Sequence, residues 1–386
     1  MNKIALYLTL IFLCSHVFAQ KTPLSEKTIK STEKEINKVI DKFDAVGLSI
    51  VVVKADEVIY SNSFGYKNLE TKETLELNDI FRIASISKSF SATAIMQLIE
   101  QGKISLDDDL SDLIGFKVRN PKYPNTVITL RMALSHTSSI SDSKGYFKLD
   151  IIDPRKNPDW ALSYNDYKPG TDYEYCNLGF NMIGTIIERI SGKRFDHYIK
   201  DNILSPLGLY GGYNVNELDS ERFVTLYNYD KQIQRFEPSP SAYAKRTEDI
   251  ENYVMGYSAP IFSPTGGMKI SAPDLATYMT MHMNFGSYQD IDIISEKSAR
   301  MMQSPVAHKE GYGLALRKTD ELIDGVSLTG HTGSAYGLYS AMFFHPEDKY
   351  GFVVITNGIN IPPTDDINSF QKAIISCLYK NFIQGK

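Results

Sequence analysis

The chain reads as an α+β protein: an antiparallel sheet built from N- and C-terminal strands, flanked by helices, with a mainly helical subdomain at about residues 89–263. Three observations lead there. The β-rich runs Gly47–Val53 and Glu57–Gly65 are parted by a short polar turn, the pattern of an antiparallel hairpin. Two more such runs, Leu338–His345 and Gly351–Asn357, stand near the other end, joined by Pro346-Glu347-Asp348-Lys349. Between these ends the chain is helical or irregular, and strands contributed by both ends argue for one sheet.

The elements follow in order. Residues 1–19 carry Lys3, an apolar run from Ile4 to Leu13, and Val17-Phe18-Ala19 before Gln20, which fits a cleavable secretory signal of bacterial type and a periplasmic or secreted protein. The run is too short to span a bilayer, so no transmembrane segment is expected after cleavage. From Glu26 to Phe43, Ile29, Ile36, Val39, Ile40 and Phe43 recur at helical spacing among charges and predict an amphipathic helix covering the sheet. Helices are expected over Ser89–Gln101, ended by Gly102, over Leu178–Ile190, ended by Ser191-Gly192, and from about Ile367 to Phe382. Tyr210–Tyr257 shows no clean period and fits either loops roofing a cleft or a surface excursion. Length alone allows more than one domain, but the shared sheet predicts a single domain over residues 20–386.

Composition is that of an ordinary globular chain, with 42% hydrophobic and 23% charged residues. A net charge of −5 supplies no basic field for nucleic acid and no polybasic patch for anionic lipid. The expected partner is a small-molecule or peptide substrate; oligomeric state is left open. Behind the signal only Cys176 and Cys377 remain, which do not make a disulfide framework and read as small buried side chains. No His-Glu-x-x-His, paired cysteines or acidic cluster points to a metal, and no glycine-rich loop points to a nucleotide, so no cofactor is expected.

The chemistry centres on Ser85 and Lys88, one helical turn apart within Phe81–Phe90, where the amine can reach the hydroxyl. A free serine is a poor nucleophile; a lysine whose pKa falls on desolvation can take its proton. At the first turn of a helix, Ser85 also gains the positive end of the dipole and an unpaired N–H for an oxyanion. Ser-x-x-Lys alone discriminates little, since it also starts at Ser31, Ser141 and Ser369. Only Ser85 follows a β-prone entry and opens an apolar helix. Two further segments accompany it: Tyr175-Cys176-Asn177 just before an apolar helix, and His331-Thr332-Gly333-Ser334, which opens the last strand pair.

With these motifs in this order, residues from about Val46 to Asn357 resemble the serine β-lactamase and penicillin-binding superfamily, in the branch of class C β-lactamases, soluble DD-carboxypeptidases, D-aminopeptidases and related esterases. Gly102–Asp108, Ile128–Ser138, Ile203–Leu209 and Gly266–Ser271 fit the same family. The resemblance implies a β-lactamase/transpeptidase-like fold in which Ser85 is acylated and Lys88 and Tyr175 carry protons, the order between them left open. It further implies that Asn177 holds Lys88 and the substrate amide, that the backbone N–H groups of Ser85 and Ser334 form the oxyanion hole, and that His331 and Gly333 lie along the substrate strand. His136 is assigned to structure, as is Cys176. His331 stands where β-lactamases of this branch carry lysine, which favours peptidases and esterases. The expected activity is hydrolysis, through an acyl-enzyme on Ser85, of an amide or ester of a small peptide-like substrate. The alternatives are a class C-like β-lactamase and a penicillin-binding or sensor module without turnover.

Overall fold

A computed structural model describes residues 24–362 and 366–384; the signal segment expected at residues 1–19 lies outside them. Five longer helices and seven strands frame the molecule. They are α1 (Glu26–Lys42), β1 (Gly47–Lys54), β2 (Glu57–Asn68), β3 (Glu73–Thr74), α2 (Ser87–Glu100), α3 (Asn177–Ser191), α4 (Ala272–Met283), β4 (Arg317–Ile323), β5 (Val326–Ala335), β6 (Leu338–His345), β7 (Tyr350–Thr356) and α5 (Ser369–Leu378).

The strands form one antiparallel sheet of order β4-β5-β6-β7-β1-β2-β3, closed in the middle by β1 on β7 with Leu48 opposite Thr356. The two termini therefore meet inside the sheet, as the paired runs predict. The sequence reading found β1, β2, β6 and β7. It missed β4 as a strand; His331–Ser334, read as opening the last strand pair, are the last part of β5, which pairs with β6 from Thr329↔Phe344 to Ala335↔Leu338.

Alternation along the central strands fills two cores. Leu48, Ile50 and Val52 of β1, with Phe352 and Val354 of β7, pack on Ile36 of α1 and Phe370 and Ile374 of α5. Val51, Val53, Val353 and Ile355 point the other way, to the core shared with α2, α3 and α4. Because both faces are covered, these strands are apolar throughout rather than alternating with polar residues. α1 starts on Ser25, whose hydroxyl accepts from Thr28 N–H, and α5 starts on a capping box of Asn368 and Gln371.

The sheet positions the nucleophile through β5. Ser85 lies in a 3-10 turn, Ala84–Ile86, that leads into α2, not in the first α-helical turn. Ala84 takes a positive φ of 49°, a conformation an alanine adopts at some cost. The turn is held from both sides. Ile83 N–H donates to Met268 O at 3.0 Å, and Ser340 Oγ on β6 donates to Ile83 O at 2.9 Å. Gly333 is what lets β5 come this near: a Cβ there would lie 2.2 Å from Ile83 O and 2.4 Å from Ser340 Oγ. Gly333→Ala is therefore expected to push the turn away from the strand, costing about 1–3 kcal/mol in urea unfolding and slowing acylation of Ser85; unchanged stability and acylation would contradict this packing.

Candidate active site

Ser85, half-buried among buried neighbours, opens onto a cleft of about 480 Å³. Its walls include Tyr175, Asn177, Thr265, Gly266 and Ser334, together with Tyr146 and Phe147. Tyr146 and Phe147 thus supply a wall, whereas no residue of Tyr210–Tyr257, read as a possible roof, lines this cavity. That segment instead holds short turns and a small hairpin, Tyr227–Asp230 with Arg235–Pro238.

Lys88 is wholly buried on α2, and its Nζ lies 3.1 Å from Ser85 Oγ. Two oxygens accept from the same nitrogen, Asn177 Oδ1 at 2.8 Å and Thr265 O at 3.0 Å. Asn177 is the first residue of α3, and its side chain is pinned from three directions. Its Oδ1 also accepts from Thr265 Oγ1 at 2.7 Å, and its Nδ2 donates to Asp142 Oδ2 at 2.8 Å. Asp142 meanwhile accepts the backbone N–H groups of Asn177 and Leu178, each at 2.8 Å. A carboxylate at a helix N-terminus satisfies orphan donors and complements the dipole. Asp142 thereby fixes which way the Asn177 amide faces, so that its oxygen meets Lys88.

Tyr175 lies on the other side of Lys88, whose Nζ stands 4.6 Å from the ring centroid, and Tyr175 packs on His136 with centroids 4.3 Å apart. Behind them runs a buried chain of rings. Cys176 N–H donates to His136 Nδ1 at 3.0 Å, so His136 carries its proton on Nε2, 3.2 Å from Tyr312 Oη. Tyr312 Oη lies 3.0 Å from His331 Nε2, while His331 Nδ1 meets Thr332 O. A carbonyl can only accept, so His331 donates through Nδ1 and takes the Tyr312 hydroxyl proton on Nε2. Backbone groups at both ends set the direction of the chain. Burial pulls the His331 pKa down to about 3, with the Lys88 charge adding to it, and holds His136 well below the ordinary range.

The structure thus gathers Ser85, Lys88, Tyr175, Asn177 and Ser334 at the cleft, and places two expected residues differently. His331 and Gly333 do not line the cavity. His331 is neutral and engaged on both ring nitrogens, and Gly333 backs onto Ile83. Gly333 gives β5 the close backbone approach expected of it, and His331 braces the same strand through Tyr312. His136 is structural, as read, and Cys176 is a buried free thiol whose pKa burial raises well above its usual value, unsuited to a nucleophile. Three contributors escaped the sequence reading: Asp142, Thr265 and Tyr312. Asp142 hid in the decoy Ser141–Lys144, and Thr265 stood one residue before the quoted Gly266–Ser271. Away from the cleft, Asp196, His197 and Glu217 come close on the surface, but Arg194 pairs with both carboxylates at 2.7 and 3.3 Å, which makes them an ion-pair cluster.

Comparison with known proteins adds the family to this geometry: residues 36–374 match the Beta-lactamase family. The chain belongs to the Beta-lactamase family. It has the β-lactamase/transpeptidase fold. It is 26% identical over 344 residues to penicillin-binding protein 4 of Amycolatopsis lactamdurans, covering 82% of this chain and 84% of that one. It is 25% identical over 351 residues to protein flp of Staphylococcus aureus, covering 87% of this chain; the chain spans only 64% of the length of flp. Among solved structures, an octameric penicillin-binding protein homologue from Pyrococcus abyssi superimposes with a TM-score of 0.72 at 27% identity, covering 93% of this chain and 78% of that one.

Two outcomes follow. Asp142→Ala frees the Asn177 amide to turn and leaves helix donors unmet, so kcat for Ser85-dependent turnover should fall at least about tenfold, with a loss of roughly 1–2 kcal/mol in urea unfolding; unchanged kcat would contradict the orienting role. The second concerns pH. His331 and His282 are both held to about 3 in the fold, below the ordinary value of about 6.5. The unfolded chain therefore binds more protons between these limits, and stability present above pH about 6.5 is lost as pH falls, by on the order of 2 kcal/mol per histidine at pH about 4.5. Urea titrations at several pH values check this; a flat profile would contradict it.

Proposed function

We propose that this protein is an exported acyl hydrolase that forms an acyl-enzyme on Ser85 and releases it to water, acting on an amide or ester of a small peptide-like substrate. The observation that carries the reading is the environment of Lys88. In its amine form the side chain has two N–H groups and one lone pair; Asn177 Oδ1 and Thr265 O take the N–H groups, at 2.8 and 3.0 Å, and the lone pair faces Ser85 Oγ at 3.1 Å. Proton transfer from Ser85 to Lys88 accompanies attack on the carbonyl carbon, and the resulting oxyanion sits between the backbone N–H groups of Ser85 and Ser334. Collapse breaks the bond to the leaving group. Tyr175, against Lys88 and lining the cleft, passes the proton to that group and then activates the water that attacks the ester on Ser85. Asn177 binds the substrate amide beside its bond to Lys88.

The neutral His331, turned to Tyr312, supports a peptidase or esterase over a β-lactamase, since it presents no fixed cation to a β-lactam carboxylate. A fluorophosphonate or fluorescent penicillin is expected to label the wild type covalently, with the adduct mapped to Ser85, and Ser85→Ala should lose both labelling and hydrolysis of peptide-like thioesters. Labelling that persists in Ser85→Ala would overturn the reading.

A further inference from the structure

Among the described residues that line the cleft, Arg82 is the one with a charged side chain. It is 7% exposed, and it stands in the short strand Phe81–Arg82, three residues before the nucleophile. Its guanidinium is only partly satisfied. Nε donates to Gly266 O at 2.9 Å and Nη1 to Ala242 O at 3.2 Å, while Nη2 reaches Ser263 Oγ only at 3.5 Å. The ring of Tyr336 lies 4.9 Å away. Each of these partners is neutral, and no ion pair among the described residues includes Arg82. Arg246 is a nearby charge, and it has the same sign. A buried guanidinium without a counter-charge is costly, whereas a carboxylate entering from the cleft would match its planar fork. The remaining polar lining groups, including Ser85, Asn177, Ser263, Thr265 and Ser334, carry no charge, and His331 sits behind the wall with both ring nitrogens engaged.

We propose that Arg82 anchors a free carboxylate of the substrate, so that the preferred substrates are acyl compounds bearing an anionic group within reach of Ser85. This rests on the hydrolase reading above. A role confined to tying down Gly266 and Ala242 would stabilise the fold but would not distinguish an anion from its neutral twin.

Two matched pairs of thioesters separate these. In one pair the leaving group is mercaptoacetate or mercaptoacetamide; in the other the acyl group is succinyl or its terminal amide. In the wild type, the anionic member of at least one pair should show a kcat/KM at least about tenfold higher, carried mainly by a lower KM. Arg82→Gln should collapse that ratio to within about twofold, and Arg82→Lys, which keeps the charge without the fork, should restore part of it. Ser85-dependent turnover with no anionic preference in either pair, or a preference that survives in Arg82→Gln, overturns the assignment and leaves the hydrolase reading standing. Absence of Ser85-dependent turnover for all four compounds overturns both. A wild type without anionic preference overturns the assignment even if neither variant folds.

Discussion

The site depends on one buried amine. Lys88 sits fully inside the protein with Asn177 Oδ1 and Thr265 O as acceptors and Ser85 Oγ in reach. Burying an ammonium or amine is tolerable only where acceptors are fixed in place, and each acceptor here comes from a different part of the chain. α2 carries the lysine, α3 carries the asparagine, and the Ser263–Met268 segment carries the carbonyl. Asp142 then sets the asparagine from a fourth segment. Folding brings these together, so the nucleophile's activation and the packing of the helical region are one event.

The sheet contributes rigidity more than chemistry. β5 runs past the nucleophile turn at a distance only Gly333 permits, and Ser340 on β6 bonds back to Ile83. The His136–Tyr312–His331 chain braces β5 against Tyr175 without adding charge, since backbone groups fix each histidine's tautomer and burial keeps both neutral. Along the cleft walls, positive charge is concentrated at Arg82.

Strong local patterns were legible from the residues. Alternating or continuous apolar runs marked β1, β2, β6 and β7, and helical spacing among charges marked α1. β4 was not, because Arg317–Ile323 is mostly charged or polar and owes its pairing to β5. In the site, Ser85, Lys88, Tyr175 and Asn177 were readable because short spacing places their side chains near a helix start. Asp142 and Thr265 were not, because each acts on a helix remote in sequence and no periodicity encodes that contact. His331 shows the opposite failure. Its motif was visible, but whether the ring faced substrate or core depended on Tyr312, 19 residues earlier.

The claim underlying this account is that the Lys88 amine, held by Asn177 and Thr265, takes the proton from Ser85. Its most direct test is the acylation rate of Ser85 by an activated ester in Lys88→Met, measured by stopped flow on protein shown by circular dichroism to be folded. Loss of the amine should slow acylation at least about a hundredfold. Acylation at the wild-type rate would contradict it.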